Sequence, residues 1–196
     1  MNSDTQLSDR RSILKMAALS SATLAVGGLV APPAIAAPRA GRGGSATAGA
    51  DVGVMQGALA LEHEGIAAYK IAAGSGLLSQ GTIAVATVFL GHHEGHRDAL
   101  AKLIAQAGGK PVEPKSNDEY IKALNIAALK SEADVVKFAA GLEQGATNAY
   151  VGQIAAIRDK QIAHLFAQLG TDEAVHWALL NAAAGGSVPQ PAFLFS

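Results

Sequence analysis

Apolar side chains recur at helical spacing in four stretches of the chain. In the first stretch Met55, Leu59, Ile66 and Tyr69 are three, four or seven positions apart, which places them on one face of an α-helix. Similar stripes follow further along the chain, and glycine, proline and polar residues separate them. The pattern predicts an all-α protein whose four long helices lie near residues 51–73, 81–107, 132–158 and 160–184.

Several residues mark the expected helix ends. Ser79 and Asp159 are suitable N-caps for the second and fourth helices. Ser131, with Asp134 three positions later, resembles a capping box for the third helix. A loop at 108–117 and a short helix near 118–129, with Asn117 as its cap, fill the connection between the second and third helices. This long connection predicts a crossover between two helical pairs.

The two halves of the predicted bundle repeat each other. Leu61-Glu62 is followed by Tyr69, and Leu142-Glu143 is followed by Tyr150, at an offset of 81 positions. His93-x-x-His96 then corresponds to Glu173-x-x-His176, at an offset of 80. Each half is therefore predicted to contain one helix with a Glu and a second helix with an x-x-x-His motif, in which the first position is His93 or Glu173.

Six ionisable residues lie on the apolar stripes, near the middle of the four helices. Burial of an unpaired carboxylate costs several kcal/mol, so six buried groups at matched depth need a common partner. A metal ion would be such a partner, since carboxylates and imidazoles are ligands and the cation offsets the carboxylate charge. The alternative is a buried polar network without metal. The candidate ligands are Glu62, His93, His96, Glu143, Glu173 and His176.

Composition narrows the chemistry further. The chain contains no cysteine, which excludes disulfides, iron–sulfur clusters and thiolate zinc sites. The formal net charge is −1 and becomes about −2 without residues 1–36, and no basic face indicates nucleic-acid binding. His92 and His96 are four positions apart, but His93 occupies the Glu position of HExxH, which excludes that zinc-protease motif. Glu94 lies off the stripe, where Arg97 is its expected partner.

The ends of the chain lie outside the predicted bundle. Residues 1–36 are typical of a twin-arginine signal peptide, with Arg10-Arg11, a short apolar stretch and a small-x-small site at Ala34-Ile35-Ala36. An uncleaved N-terminal anchor is the alternative. Residues 37–50 are expected to form a flexible linker, 51–184 the bundle, and 185–196 a C-terminal tail packed over the bundle end.

Four segments of the sequence resemble the exported ferritin-like domain proteins, near the desiccation-related ferritin-like group. These segments are LEHEGIAAY, FLGHHEGHRDAL, LEQGATNAY and DEAVHWALL, and the resemblance covers roughly residues 51–184. It implies a ferritin-like four-helix bundle with a di-metal carboxylate site. Glu62, Glu143, Glu173, His176 and His96 match the ligand positions of that family.

His93 departs from the family pattern, because a Glu that commonly bridges two metals stands at this position in the family. Three carboxylates and three imidazoles then leave a net charge of about +1 with two divalent ions and −1 with one. The number of metal ions, one or two, therefore stays open. Glu173 is the remaining candidate to bridge two ions.

The resemblance implies iron or manganese, with zinc less favoured, in redox or stress-related metal handling. A di-metal oxidoreductase of oxidase or peroxidase type is one form of this function, with Tyr69 and Tyr150 lining its cavity or simply filling the core. The alternative is a metal-free or zinc-stabilised helical-bundle stress or binding protein without catalysis. The expected partners are metal ions, oxygen or peroxide, the twin-arginine export machinery and, as an alternative to a monomer, a second copy of the chain. The expected location is periplasmic or extracellular.

Overall fold

The computed structural model describes residues 45–196, and this part of the chain is helical without β-strands. The helices are α1 (Ser45–Gly74), α2 (Gln80–Gln106), α3 (Asn117–Ala123), α4 (Glu132–Gln153) and α5 (Lys160–Ala183). Two short 3-10 turns follow α3 and α4, at Ile126–Ala128 and Ile154–Ala156. The predicted all-α fold is confirmed, with α1, α2, α4 and α5 as the four long helices.

Side-chain caps set the start of three long helices as the sequence predicted. The Ser79 side chain accepts a hydrogen bond from the Thr82 amide, and the Asp159 side chain accepts from the amides at the start of α5. The Ser131 side chain likewise accepts from the Asp134 amide. These oxygens satisfy amides that have no partner within the first turn of a helix.

The short helix α3 is capped by Ser116, and the prediction of Asn117 as its cap was wrong. Ser116 accepts from the Glu119 amide, while the Glu119 carboxylate accepts from the Ser116 amide, so both residues form a capping box. A glutamate three positions after Ser116 makes this reciprocal pair possible. Asn125 then adopts a left-handed conformation with φ of 53°, which separates α3 from the following 3-10 turn.

Two long helices differ in length from the prediction. α1 begins at Ser45, six residues before the predicted start, because the alanine-rich segment 45–50 favours helix over an irregular linker. α4 ends at Gln153, five residues before the predicted end at 158, and the chain continues as the 3-10 turn. The predicted signal peptide and the remainder of the predicted linker lie outside the described residues.

The bundle consists of two helical pairs. α1 packs along α2 and α4 packs along α5, while α1 also contacts α4 and α2 contacts α5. The connection from residue 107 to residue 131, which includes α3, is the long crossover between the pairs. This arrangement confirms the predicted four-helix bundle and brings the middle of all four helices together.

Two apolar layers enclose the centre of the bundle. One layer contains Met55, Leu59, Leu100, Ile104, Tyr150, Phe166 and Leu169, and the other contains Tyr69, Phe89, Val136, Ala140 and Leu180. On every long helix, the ionisable residues of the apolar stripe fall between the members of the two layers. Such apolar burial stabilises the fold by about 25 cal/mol per Å² and keeps bulk water from the ionisable residues.

Two acidic side chains tie the pairs to each other. Asp51 on α1 is buried, and its carboxylate accepts from the amides of Arg158 and Asp159, at 3.0 and 2.9 Å, where α5 begins. Glu132 on α4 accepts from the Ser79 amide at 3.2 Å, where α2 begins. Each pair thus fixes the start of the second helix of the other pair.

The C-terminal tail contacts the outside of the bundle. The ring of Phe195 meets the ring of Trp177 edge to face, with centroids 5.2 Å apart, and the Ser196 amide donates to Asn148 Oδ1 at 3.1 Å. Phe193 is almost fully exposed. Among residues 45–196, no helix combines the length and apolar character needed to cross a membrane.

Candidate metal centre

The structure brings all six candidate ligands together in the middle of the bundle. Their exposed fractions range from 0 to 7%, so bulk solvent has little access to them. Glu62 comes from α1 and Glu143 from α4, while α2 and α5 each supply two residues. The α2 pair is His93 and His96, and the α5 pair is Glu173 and His176.

The six residues form two overlapping groups of four, each with its potential ligand atoms within 4.8 Å of one another. The first group adds Glu62 and His96 to a shared pair, and the second adds Glu143 and His176. The shared pair is His93 and Glu173. Two neighbouring cation positions would therefore compete for the same two side chains.

Glu173 divides its two oxygens between the groups. Its Oε1 lies 3.0 Å from His96 Nδ1, and its Oε2 lies 3.1 Å from His176 Nδ1. A carboxylate in this position offers one oxygen to each side. This geometry agrees with the expectation that Glu173 is the bridging candidate.

His93 faces both groups through its two ring nitrogens. Its Nδ1 lies 2.9 Å from Glu62 Oε2, and its Nε2 lies 3.3 Å from Glu143 Oε1. The ring packs against α1 at Gly65, where an added Cβ would lie 3.4 Å from His93 Cε1. His93 thus occupies the position opposite Glu173, with an imidazole where the family pattern has a carboxylate.

Two buried tyrosines each donate a hydrogen bond to one carboxylate oxygen of a cluster glutamate. The Tyr69 hydroxyl donates to Glu143 Oε1, and the Tyr150 hydroxyl donates to Glu62 Oε1. Burial and the neighbouring carboxylates raise the pKa of both hydroxyls above the ordinary value, so they stay protonated as donors. Both tyrosines therefore position the glutamates across the α1–α4 interface.

The outer nitrogens of two histidines also have partners. His96 Nε2 lies 3.2 Å from Asp172 Oδ2, and His176 Nε2 lies 2.9 Å from His92 Nδ1. These contacts fix the ring orientation and leave Nδ1 of His96 and of His176 directed at Glu173. Sequence analysis did not identify Asp172 as part of the site. The repeat offset of 80 relates Asp172 to His92, which marks equivalent positions but does not indicate the contact with His96.

In the metal-free cluster, protons balance the carboxylate charge. Burial alone would lower the histidine pKa, but hydrogen bonds to Glu143 and Glu62 raise the pKa of His93 to about 11. Hydrogen bonds to Glu173 and Glu62 raise the pKa of His96 to about 10 against the same burial effect. The same bonds from His93 and His96 outweigh burial at Glu62 and lower its pKa to about 2. Burial raises the pKa of Glu173. Cation binding would displace these protons.

One ligand atom of the cluster lacks a hydrogen-bond partner among the described residues. Glu143 Oε2 is buried and makes no hydrogen bond to any described residue, although His176 Nδ1 lies 3.4 Å away. A buried carboxylate oxygen without a partner costs free energy that a cation would offset. Three carboxylates and three imidazoles supply the nitrogen and oxygen ligands that iron, manganese and zinc accept.

Residues beside the stripes have other roles. Glu94 pairs with Lys70 on α1 at 2.8 Å, and Arg97 pairs with Asp98, so the predicted Glu94–Arg97 pair was wrong. Lys70 reaches Glu94 from the neighbouring helix, which the sequence of α2 alone could not indicate. His63 lies near the surface, with Nε2 3.1 Å from the Val112 carbonyl oxygen.

Comparisons with known proteins agree with the helical fold. No curated protein matches the chain. A structure of a conserved hypothetical protein from Mycobacterium tuberculosis is 21% identical, with a TM-score of 0.59, over 74% of this chain and 97% of that chain. A structure of ferritin-like, diiron-carboxylate proteins from Bacillus anthracis is 18% identical, with a TM-score of 0.58, over 71% of this chain and 99% of that chain. These likenesses support the fold.

The model of the ferritin-like domain matches residues 50–186, which is more than half of the chain. The match covers all four long helices from residue 50 onward and every member of the buried cluster. The buried glutamates and histidines fit metal binding. The chain belongs to the ferritin-like domain family.

Proposed function

We propose that this protein binds iron or manganese in the buried cluster and uses it in redox chemistry or metal handling. The observation that carries this proposal is the convergence of three carboxylates and three imidazoles in one buried centre, where Glu143 Oε2 has no other partner among the described residues. Carboxylate and imidazole ligands suit both metals. Zinc is less favoured.

The two overlapping groups would differ in strength. Each group has two carboxylates and two imidazoles, and both contain His93 and Glu173, so two ions would compete for these two side chains. Only the group with Glu143 and His176 includes both residues of the intact Glu-x-x-His motif of α5, Glu173 and His176. We therefore propose that one ion binds tightly through Glu143, Glu173 and His176, and that a second ion binds more weakly.

The protein residues have defined parts in this chemistry. Iron or manganese, when bound, supplies one-electron steps toward oxygen or peroxide. Tyr69 holds Glu143 in place by donating a hydrogen bond to its Oε1, and Tyr150 holds Glu62 in the same way. Asp172 and His92 orient the ligand histidines from outside, and the two apolar layers limit the access of water.

Metal content separates this proposal from its alternative. Protein purified without chelator is expected to carry iron or manganese at close to one ion per chain or more, as measured by plasma mass spectrometry. A metal-free protein, or one with zinc only, would support the stress or binding scaffold without catalysis. Replacement of Glu173 by Gln is the matched control, since it keeps the side-chain size and removes the shared carboxylate.

We also propose that the protein is exported by the twin-arginine route and acts in the periplasm or outside the cell. Arg10-Arg11 and the small-x-small site that ends at Ala36 support this proposal. Intact mass of the exported protein is expected to correspond to a chain that begins at Ala37. A mature chain that retains residues 16–30 would favour the membrane anchor instead.

A further inference from the structure

A cleft of about 220 Å³ lies between α1 and α4 and reaches the cluster. Its inner wall contains Glu62 and Glu143, and the ring of His93 lies beside them. The rim includes Leu61, which is 37% exposed, and Gly145, which is also exposed. The cleft therefore connects the bundle surface with both of the overlapping ligand groups.

Small residues keep the cleft open. On α4 its lining includes Gly141, Gly145, Ala146 and Ala149, and on α1 it includes Gly65. A Cβ added at Gly141 or Gly145 would meet no atom of the described chain within 4 Å. Larger side chains at Gly141 or Gly145 would therefore fill the opening without displacing a ligand, whereas one at Gly65 would press on the ring of His93.

The charge of the cleft favours cations. Its lining contains three carboxylates, those of Glu62, Glu64 and Glu143, and one basic side chain, the imidazole of His93, so acidic groups outnumber basic ones. Clefts that carry charge of one sign concentrate ions of the opposite sign. Its volume accommodates a hydrated divalent ion, since a water molecule occupies about 30 Å³ in the liquid.

A second cavity offers a poorer path. It measures about 40 Å³ and is lined by apolar side chains that include Phe89, Val136 and Leu180. A cation that entered it would lose its hydration water against a wall that cannot replace the lost hydrogen bonds. On two other sides of the cluster, Asp172 and His92 back the ligand histidines at hydrogen-bond distance.

We propose that the cleft between α1 and α4 is the entrance through which divalent cations reach the buried cluster. This inference rests on the proposed metal binding and adds a route to it. Gly145 determines the width of the entrance, and Glu64 stands in its wall. Cation entry and cation release both pass through the same opening.

The test uses a variant that fills the entrance, Gly145→Leu, and a matched control, Gly57→Leu. Gly57 is an exposed glycine of α1 with open space around its Cβ position in the described chain, and both changes replace a helical glycine by a better helix former. The probe is Co²⁺ added to the mature metal-free protein, followed by its visible absorption in stopped-flow experiments. Release is measured with excess chelator.

Gly145→Leu is expected to slow both entry and release of Co²⁺ by about tenfold or more, with Kd unchanged. Gly57→Leu is expected to behave like the unaltered protein. Unchanged rates in Gly145→Leu would overturn the proposal. A weaker Kd with an unchanged entry rate would also overturn it, because the variant would then disturb the ligands and not the route.

A second measurement decides the question without metal. Deuterium exchange at His93 Cε1, followed by mass spectrometry of the metal-free protein, reports the access of water to the inner end of the cleft. Gly145→Leu is expected to slow this exchange and Gly57→Leu to leave it unchanged; equal exchange in both variants would overturn the entrance. Failure of the unaltered protein to bind Co²⁺ would count against the proposed metal function, and the exchange result would still decide whether the cleft is an entrance.

Discussion

The half formed by α1 and α2 and the half formed by α4 and α5 exchange equivalent contacts. Tyr69 of the first half donates to Glu143 of the second, and Tyr150 of the second donates to Glu62 of the first. Both tyrosines and both glutamates are related by the same offset of 81 positions. The sequence repeat therefore produces the same tyrosine–glutamate hydrogen bond twice across the interface between α1 and α4.

The halves differ where α2 and α5 meet. Asp172 holds the outer nitrogen of His96, while His92 holds the outer nitrogen of His176. The residue after Asp172 is Glu173, and the residue after His92 is His93. One half thus supplies two carboxylates where the other supplies two imidazoles. Two helices in equivalent positions of a nearly symmetric bundle thus supply different ligands to groups that overlap.

The largest expected effect comes from removing the shared carboxylate. Glu173→Gln is expected to weaken Mn²⁺ binding by more than about 100-fold, since loss of an outer partner alone commonly costs about 10–100-fold. His93→Gln removes the other shared residue without removing a negative charge, so it should cost less. Equilibrium dialysis of both variants measures the difference. Equal losses in both would contradict the unequal roles of the two halves.

Making the halves alike at residue 93 should change the number of ions bound. His93→Glu supplies a second carboxylate opposite Glu173, and is expected to raise tight binding from about one ion per chain toward two. His63→Glu adds the same charge outside the cluster and serves as the control. Titration with Mn²⁺ under anaerobic conditions checks the stoichiometry, and no increase in His93→Glu would count against the argument about residue 93.

A smaller change concerns the outer partner of His176. His92→Asp gives this ligand a carboxylate, as Asp172 already does for His96, and makes the imidazole a better donor to metal. We expect Mn²⁺ affinity to rise by about tenfold, at the lower end of the effect of such outer partners. Asp172→Asn removes the carboxylate that backs His96 and should lower Mn²⁺ affinity by a similar factor. Binding isotherms of both variants test this, and an unchanged affinity in each would show that the outer partners do not act on the metal.

The pH dependence of stability follows from the protonated cluster. Hydrogen bonds raise the pKa of His93 to about 11. The contribution of His93 to the free energy of unfolding is therefore complete below the ordinary histidine pKa of 6.5 and is lost as pH rises toward 11. The pKa of Glu62 is lowered to about 2, so its contribution is complete above its ordinary value of 4.5 and is lost as pH falls toward 2. The raised pKa of Glu173 adds to the loss as pH rises.

We therefore expect the metal-free protein to be most stable between the ordinary glutamate and histidine values, pH 4.5 and 6.5. Urea denaturation in the presence of chelator, repeated across this range and beyond it, measures the free energy of unfolding. His93→Gln should flatten the decline on the alkaline side. If the free energy of unfolding instead increased steadily from pH 6.5 to 9, the pH dependence would have the opposite sign, and a protonated His93 beside ionised glutamates would be ruled out.

The smallest effects are expected from Asp51 and Glu132, whose carboxylates accept hydrogen bonds at the starts of α5 and α2. Asp51→Asn and Glu132→Gln each weaken the acceptor for amides or hydroxyls at the start of the opposite half's second helix. Asp51→Asn should lower the free energy of unfolding by about 1 kcal/mol, as for the loss of a helix cap. Glu132→Gln should change it in the same direction. Thermal denaturation of both variants tests whether the two ties are equivalent. A loss in only one of them would limit the symmetry to the centre of the bundle.

The sequence was sufficient for the four helices and for the convergence of the six ionisable residues. Both follow from periodicity, because Glu62, His93, Glu143 and Glu173 occupy positions that helical spacing places among apolar residues. The caps at Ser79, Ser131 and Asp159 were also predictable, since short-range spacing determines them.

Contacts between helices could not be predicted in the same way. The pairing of Glu94 with Lys70 depends on how α1 and α2 are rotated against each other, which spacing within one helix does not specify. The contact of Asp172 with His96 has the same origin. Likewise, the cleft beside Gly145 arises from the separation of α1 and α4, and the sequence shows only that the residues there are small.

Titration of the mature, metal-free protein with Mn²⁺ and with Fe²⁺ under anaerobic conditions measures how many ions the buried cluster binds and how tightly. We expect one ion per chain to bind tightly and a second to bind more weakly, because the two groups share His93 and Glu173. Two ions of equal, high affinity would contradict the unequal halves. Absence of binding for both metals would contradict the metal function itself and leave the bundle as a scaffold.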